Sequence, residues 1–481
     1  MRLSAVLTAF AFVSVSFAQP ARITGGAADY QVFQRGSGDR AGIALEGTAA
    51  SGPVEARLVL RGVSAPGFDW KAVGKAQGGK WSARLEGVPV GGPYTLEVRA
   101  GGGEATDRVA GLLVGDLWVL AGQSNMEGVG DLLDVQPPNG LVNSFDQTDR
   151  WGIAEEPLHR LADAADRVHW RRNQQKEPEK LAGAELQKYI AGRKKGAGLG
   201  LPFAAEMVRR TGVPVGLLPC AHGGTSMDQW DPALRDKGGD SLYGATVRRV
   251  RLAGGKVTGI LWYQGESDAN PKAAPVFQQK FERLVASFRS DFSQPDLPFY
   301  YVQIGRHVSA SNVAEWNAVQ EMQRNAETTI PRSGMAPAVD FTLDDGIHVG
   351  VQDLKRLGAR LARLACHGVF PNNAECAALE RGPRPVSARF ENGILRVEFS
   401  QVNGRLRAEG RPAGFSIHAA GGEPQALIYK IRLEGSAALL YIGGKLPEGA
   451  TLRYGAGKDP YCNLRDAADM AVPVFGPLAI Q

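Results

Sequence analysis

The chain has 481 residues, 43% hydrophobic and 22% charged, which excludes a wholly disordered protein and leaves room for about three domains or one large α/β domain with additions. Its 61 glycines and 28 prolines are spread without a period, so a fibre is excluded and many tight turns are expected. The formal net charge of +5 is too mild to imply a nucleic-acid partner.

Residues 1–18 carry one basic side chain, Arg2, then an apolar run ending in Ser16-Phe17-Ala18, the pattern of an export signal cleaved near Ala18. The run is shorter than the roughly 20 residues that cross a bilayer, and no later segment is expected to span a membrane once the signal is removed. Residues 20–111 alternate apolar and polar positions in short runs broken by glycine, as in Ala56-Arg57-Leu58-Val59-Leu60, and predict a small N-terminal antiparallel β domain.

From residue 112 the pattern changes. Apolar strands at 117–120, 213–218, 259–263, 299–304 and 335–341 alternate with helical periodicity at 203–210, 243–252, 275–288 and 313–326. A last helix follows, with Leu354, Leu357, Leu361 and Leu364 on one face and Lys355, Arg356, Arg360 and Arg363 on another. Five buried strands joined by helices predict a doubly wound, five-stranded parallel sheet over 112–370. An insertion, 131–200, is long enough to act as a lid or wall over a site, and its basic cluster from Arg171 to Lys195 is interleaved with Glu177, Glu179 and Glu185, as on a solvated helical face. Short strands resume over 380–481 and predict a C-terminal β module. Of four cysteines, Cys366 and Cys376 enclose a short loop and are the expected disulfide, while Cys220 reads as a buried thiol. No ligand spacing supports a metal site, and no cofactor is expected.

Parallel sheets bind ligands beyond the carboxyl ends of their strands. The loops there are polar: Gly122-Gln123-Ser124-Asn125-Met126, then His222-Gly223-Gly224-Thr225-Ser226 followed by Trp230, then Gln264-Gly265-Glu266-Ser267-Asp268, and finally Asp344-Asp345-Gly346-Ile347-His348. A serine hydroxyl becomes a useful nucleophile only when a base takes its proton, and histidine serves as that base when a carboxylate fixes its tautomer. Ser124, His348 and Asp345 supply the three types, with Asp344 beside Asp345 as the other possible acid. Oxyanion donors are available from the Ser124 N–H, a backbone N–H at Gly223 or Gly224, and the Gln264 amide. Gln123, Asn125, His222, Trp230 and Glu266 are candidate substrate contacts.

The sequence departs from the Gly-x-Ser-x-Gly elbow, because Met126 occupies the last position and acid and base share one turn. It resembles instead the SGNH (GDSL-like) hydrolases, and within them the sialate O-acetylesterase type of carbohydrate esterase. The resemblance rests on Gly122-Gln123-Ser124-Asn125-Met126, Trp262-Tyr263-Gln264-Gly265-Glu266, and Asp345-Gly346-Ile347-His348, and spans roughly residues 92–366. It implies a flavodoxin-like fold, with Ser124 as nucleophile, His348 as base, Asp345 as its partner, and Gly224 and Gln264 as oxyanion donors. The implied activity is that of a secreted or periplasmic enzyme removing acetyl esters from sugars through an acetyl-enzyme, its partner an O-acetylated carbohydrate. Two other readings are an acetylxylan or other polysaccharide deacetylase and an inactive carbohydrate-binding scaffold. The particular sugar and the oligomeric state stay open.

Overall fold

The computed structural model describes residues 20–173, 175 and 177–481, so the expected export signal lies outside the described residues. The chain divides into two compact units. The smaller takes the described residues up to 28 with 42–88 and 94–112. Strand Gly52–Leu60 pairs antiparallel with Gly91–Ala100, from Val54 opposite Ala100 to Leu60 opposite Tyr94, and also pairs with Lys71–Ala76. Val54, Ala56, Leu58, Leu96 and Val98 are fully buried, so one residue in two points inward, as period-two patterning demands.

The larger unit holds a mostly parallel sheet. Its strands are β1 (Asp107–Gly122), β2 (Val142–Phe145), β3 (Trp151–Ile153), β4 (Val215–Pro219), β5 (Gly259–Tyr263), β6 (Phe299–Gln303) and β7 (Ser333–Pro337). They lie in the order β3-β2-β4-β1-β5-β6-β7; β3 runs antiparallel to β2 and every other neighbouring pair is parallel. Along this order six strands run parallel among the described residues, not five, and Val32–Gln34 adds a short parallel pairing beside Leu113–Gly115 of β1. The additional one, β2, lies inside the 131–200 insertion, where four residues including buried Asn143 and Ser144 carry no apolar run to mark it. Strands β4 to β7 are buried at every position, which is why they read as continuous apolar segments.

The helices named below are α1 (Ser124–Glu127), α2 (Gly183–Gly192), α3 (Gly200–Thr211), α4 (Leu242–Leu252), α5 (Phe277–Asp291), α6 (Val313–Thr329) and α7 (Val351–Val369). Helix α3 packs on α7 and α5 on α6. Leu354, Leu357, Leu361 and Leu364 of α7 are buried as expected, but so is Arg360, at 0% exposure. Its guanidinium bonds both carboxylate oxygens of Asp340 at 2.7 Å and donates to the carbonyls of Pro337 and Asp469 at 3.0 and 2.6 Å. Arg360→Ala leaves the buried Asp340 carboxylate with only the longer contact to Arg356 at 3.5 Å and is expected to destabilise this unit by roughly 3–5 kcal/mol. Urea unfolding of the variant checks it; a loss below about 1 kcal/mol would contradict the pairing.

The strands of 380–481 belong to the same compact unit as the sheet. They form two antiparallel four-stranded sheets and a two-stranded pair, Arg407–Ala408 with Leu464–Arg465, around a second core that includes Leu395, Val397, Leu440, Leu452 and Tyr454. A run of buried glutamine amides leads from this region toward β5. Gln303 accepts from Val474 N at 2.8 Å and donates to the carbonyls of Val474 and Gln320, each at 2.9 Å. Gln320 donates to the Ile304 carbonyl at 2.9 Å, and Gln323 accepts from Ile304 N and donates to the Gln264 carbonyl, both at 2.9 Å. Cys366 and Cys376 are disulfide-bonded, and Cys220 and Cys462 are buried free thiols. Among the described residues no helix is long and apolar enough to cross a membrane.

Candidate active site

The sheet order places a switch at β1: β4 lies on one side and β5 on the other, so the loops after all three strands converge at one carboxyl edge. At the end of β1 the backbone of Gly122 (φ +129°) passes so near β5 that a Cβ would sit 2.2 Å from the Tyr263 carbonyl oxygen, a spacing only glycine permits. The chain then turns into α1, whose first residue is Ser124.

Ser124 Oγ lies 3.0 Å from His348 Nε2, and His348 Nδ1 lies 2.7 Å from Asp345 Oδ2. The other Asp345 oxygen accepts the backbone N–H groups of Ile347 and His348, both at 2.9 Å. Burial opposes ionisation of Asp345, but the imidazole and these two amides outweigh it and hold the carboxyl at about 2. Asp344 points elsewhere: its Oδ2 accepts the Asp131 N–H at 3.2 Å. Of the two neighbouring carboxylates, Asp345 is therefore the one that bonds the imidazole.

A pocket opens over this series, lined by Gln123, Ser124, Glu127, Gly223, Gly224 and His348 among others. Gly224 has φ +68°, and neither its N–H nor that of Ser124, at the start of α1, is paired with a backbone acceptor among the described residues. Gly223, by contrast, donates to Glu127 Oε2 at 2.6 Å. Sequence reasoning missed Glu127. Its position three residues after Ser124 in one helical turn was the available signal, since that spacing brings it to the same side as the nucleophile. Burial raises the Glu127 carboxyl above its ordinary range.

Several expected site residues serve other ends. Gln264 is fully buried and both amide hydrogens are committed, to the Thr225 carbonyl at 3.2 Å and to Asp268 Oδ2 at 2.5 Å, leaving no donor for an oxyanion. Asn125 is buried between loops: it donates to Glu266 Oε1 at 2.9 Å and accepts from Val349 N at 3.0 Å, so it positions the histidine loop without lining the pocket. Glu266 does line the pocket, and burial raises its carboxyl. Trp230 is fully buried, bonded through Nε1 to Thr225 Oγ1 and edge-on to Trp262 at 5.1 Å, so its face is not offered to a sugar. His222 stacks on buried His169, with their Nδ1 atoms 3.2 Å apart, and burial pushes it down to about 4. Lys195, at the end of the insertion's basic cluster, pairs with Asp131 at 3.4 Å.

A hydroxyl, an imidazole and a carboxylate hydrogen-bonded in series at the carboxyl edge of a parallel sheet is an arrangement that hydrolases use. Within that class the chain belongs to the carbohydrate esterase, sialic acid-specific acetylesterase family, which residues 114–367 match. It is 30% identical over 269 residues to a probable carbohydrate esterase of Arabidopsis thaliana, covering 51% of this chain and 88% of the relative. It is 23% identical over 303 residues to human sialate O-acetylesterase, covering 56% of each chain. Among solved structures, a carbohydrate acetylesterase from Xanthomonas citri superposes with a TM-score of 0.64 at 23% identity, over 95% of this chain and 99% of that one, a likeness of fold.

Proposed function

We propose that the protein is an exported carbohydrate O-acetylesterase, of the kind named for sialate, in which Ser124, His348 and Asp345 act together through an acetyl-enzyme. The observation that carries the reading is the unbroken series from Asp345 through His348 to Ser124 Oγ. His348 Nε2 accepts the Ser124 proton as Oγ attacks the acetyl carbonyl carbon, and the carbonyl electron pair moves to oxygen. The Ser124 and Gly224 N–H groups are the donors available to that oxyanion, each worth about 2.7–4 kcal/mol in such sites. Collapse breaks the ester C–O bond, and the imidazolium returns its proton to the departing sugar oxygen. Water, deprotonated by the same imidazole, then releases acetate and restores Ser124. Glu127 braces the loop that carries Gly224 through its bond to Gly223 N–H.

Export rests on the signal-like residues 1–18 and on the Cys366–Cys376 disulfide, which an oxidising compartment maintains. Acetate release from p-nitrophenyl acetate and from acetylated glycans tests the activity; no release from any of them would end this reading. A pH dependence follows. With its carboxyl held at about 2, Asp345 stays ionised above about pH 4 and keeps its charge against the imidazole throughout that range. Protonated imidazole cannot accept the serine proton, so kcat/KM is expected to fall on acidification from pH 8 to pH 4; a flat profile would contradict the mechanism.

A further inference from the structure

A second cleft, of about 720 Å³, lies in the same compact unit as the active site and is lined on one side by the β2-β3 hairpin and on the other by α2. Leu132 in its lining follows by three residues Val129, which lines the Ser124 pocket. Backbone near the two linings is closely packed. A Cβ on Gly128 would fall 2.7 Å from the Gly196 carbonyl oxygen, and one on Gly196 would fall 2.6 Å from Pro157 Cβ, Pro157 itself lining the cleft.

Three aromatic rings border the cleft: Trp151, half-buried with its ring 5.2 Å from Phe145, and Tyr30 and Tyr189, which are 40% and 37% exposed. The lining also holds a hydroxyl without a partner among the described residues: Ser144 is 6% exposed, and its buried Oγ makes no hydrogen bond there. A buried hydroxyl left unpaired costs about 1–3 kcal/mol. Arg160 is held between Asp146, at 3.2 Å, and Asp163, so its polar atoms are fixed in place. The lining carries four carboxyls, Asp146, Glu155, Glu156 and Asp163, against the guanidinium groups of Arg160 and Arg193, a balance unfavourable to an anionic ligand.

Aromatic faces combined with hydroxyl, carboxylate and guanidinium groups match a neutral sugar, whose C–H faces stack on rings while its hydroxyls both donate and accept. We infer that this cleft is a glycan-binding subsite that holds a neutral stretch of the same polysaccharide whose acetyl ester reaches Ser124. The identity of the ligand rests on the esterase reading; its binding does not.

The test is therefore made first without catalysis. Xylohexaose and cellohexaose are titrated calorimetrically into the full-length Ser124→Ala protein, alongside hexagalacturonate as the acidic control. At least one neutral hexasaccharide is expected to bind, more tightly than hexagalacturonate, and Trp151→Ala and Tyr189→Ala added to that protein are each expected to weaken it by about tenfold. Tyr189 lies on the exposed helix α2, so its removal leaves the core intact even if Trp151→Ala disturbs the hairpin. No binding of either neutral sugar up to about 10 mM, tighter binding of the acidic one, or affinities unchanged in both variants would overturn the assignment. With Ser124 restored, both ring variants are expected to raise KM on acetylated xylan while leaving p-nitrophenyl acetate hydrolysis unchanged. Equal losses on the two substrates would overturn it as well. A wild-type protein inert toward every ester would end the esterase reading but leave the binding result to stand or fall alone.

Discussion

Ser124→Ala is expected to lower kcat on p-nitrophenyl acetate by roughly four to six orders of magnitude, with circular dichroism and the unfolding midpoint little changed. The loss is large because the hydroxyl is the attacking atom: without it His348 has no proton to accept and no acetyl-enzyme forms. Oxyanion donors and binding alone leave a residual rate far below the intact enzyme's. The side chain is half-buried and, among the described residues, bonds only His348, so the deletion removes little packing. Retention of more than about a tenth of the wild-type rate would place the chemistry elsewhere.

The second large effect separates two adjacent carboxylates. Asp345→Asn is expected to cost about 10⁴-fold in kcat, because an amide facing Nδ1 favours the wrong tautomer and gives the imidazolium no counter-charge. Asp344→Asn is expected to stay within about tenfold, since Asp344 contacts Asp131 and not the imidazole. Equal effects in the two variants, read from initial rates at pH 8, would refute the assignment.

How far these features were legible in the sequence depended on how local their causes are. The polar loops after β1, β4 and β5 stood out because apolar strands flank them, and Asp345 and His348 announced themselves by lying one turn apart. Strand β2 did not, since it is an edge-side strand of four residues whose neighbours in space, Val215 to Leu217, lie more than seventy positions away. Gln264 was expected to donate into the site, yet the direction of an amide depends on which acceptors reach it; Asp268 and the Thr225 carbonyl take both hydrogens. Trp230 follows a glycine-rich loop, a place that suits a sugar platform, but its edge contact with Trp262 turns it inward. Arg360 reads as part of a basic face because its partner across the core, the Asp469 carbonyl, is 109 residues distant.

The glutamine series from Val474 to Gln264 has a consequence for where the molecule can be cut. Ending the chain near residue 380 would strip Gln303 of the Val474 carbonyl it donates to and the N–H it accepts, beneath the loop that leads to Glu266. The last hundred residues are in this sense part of the foundation under the reacting groups, and a catalytic fragment carved out at that boundary starts with its footing removed.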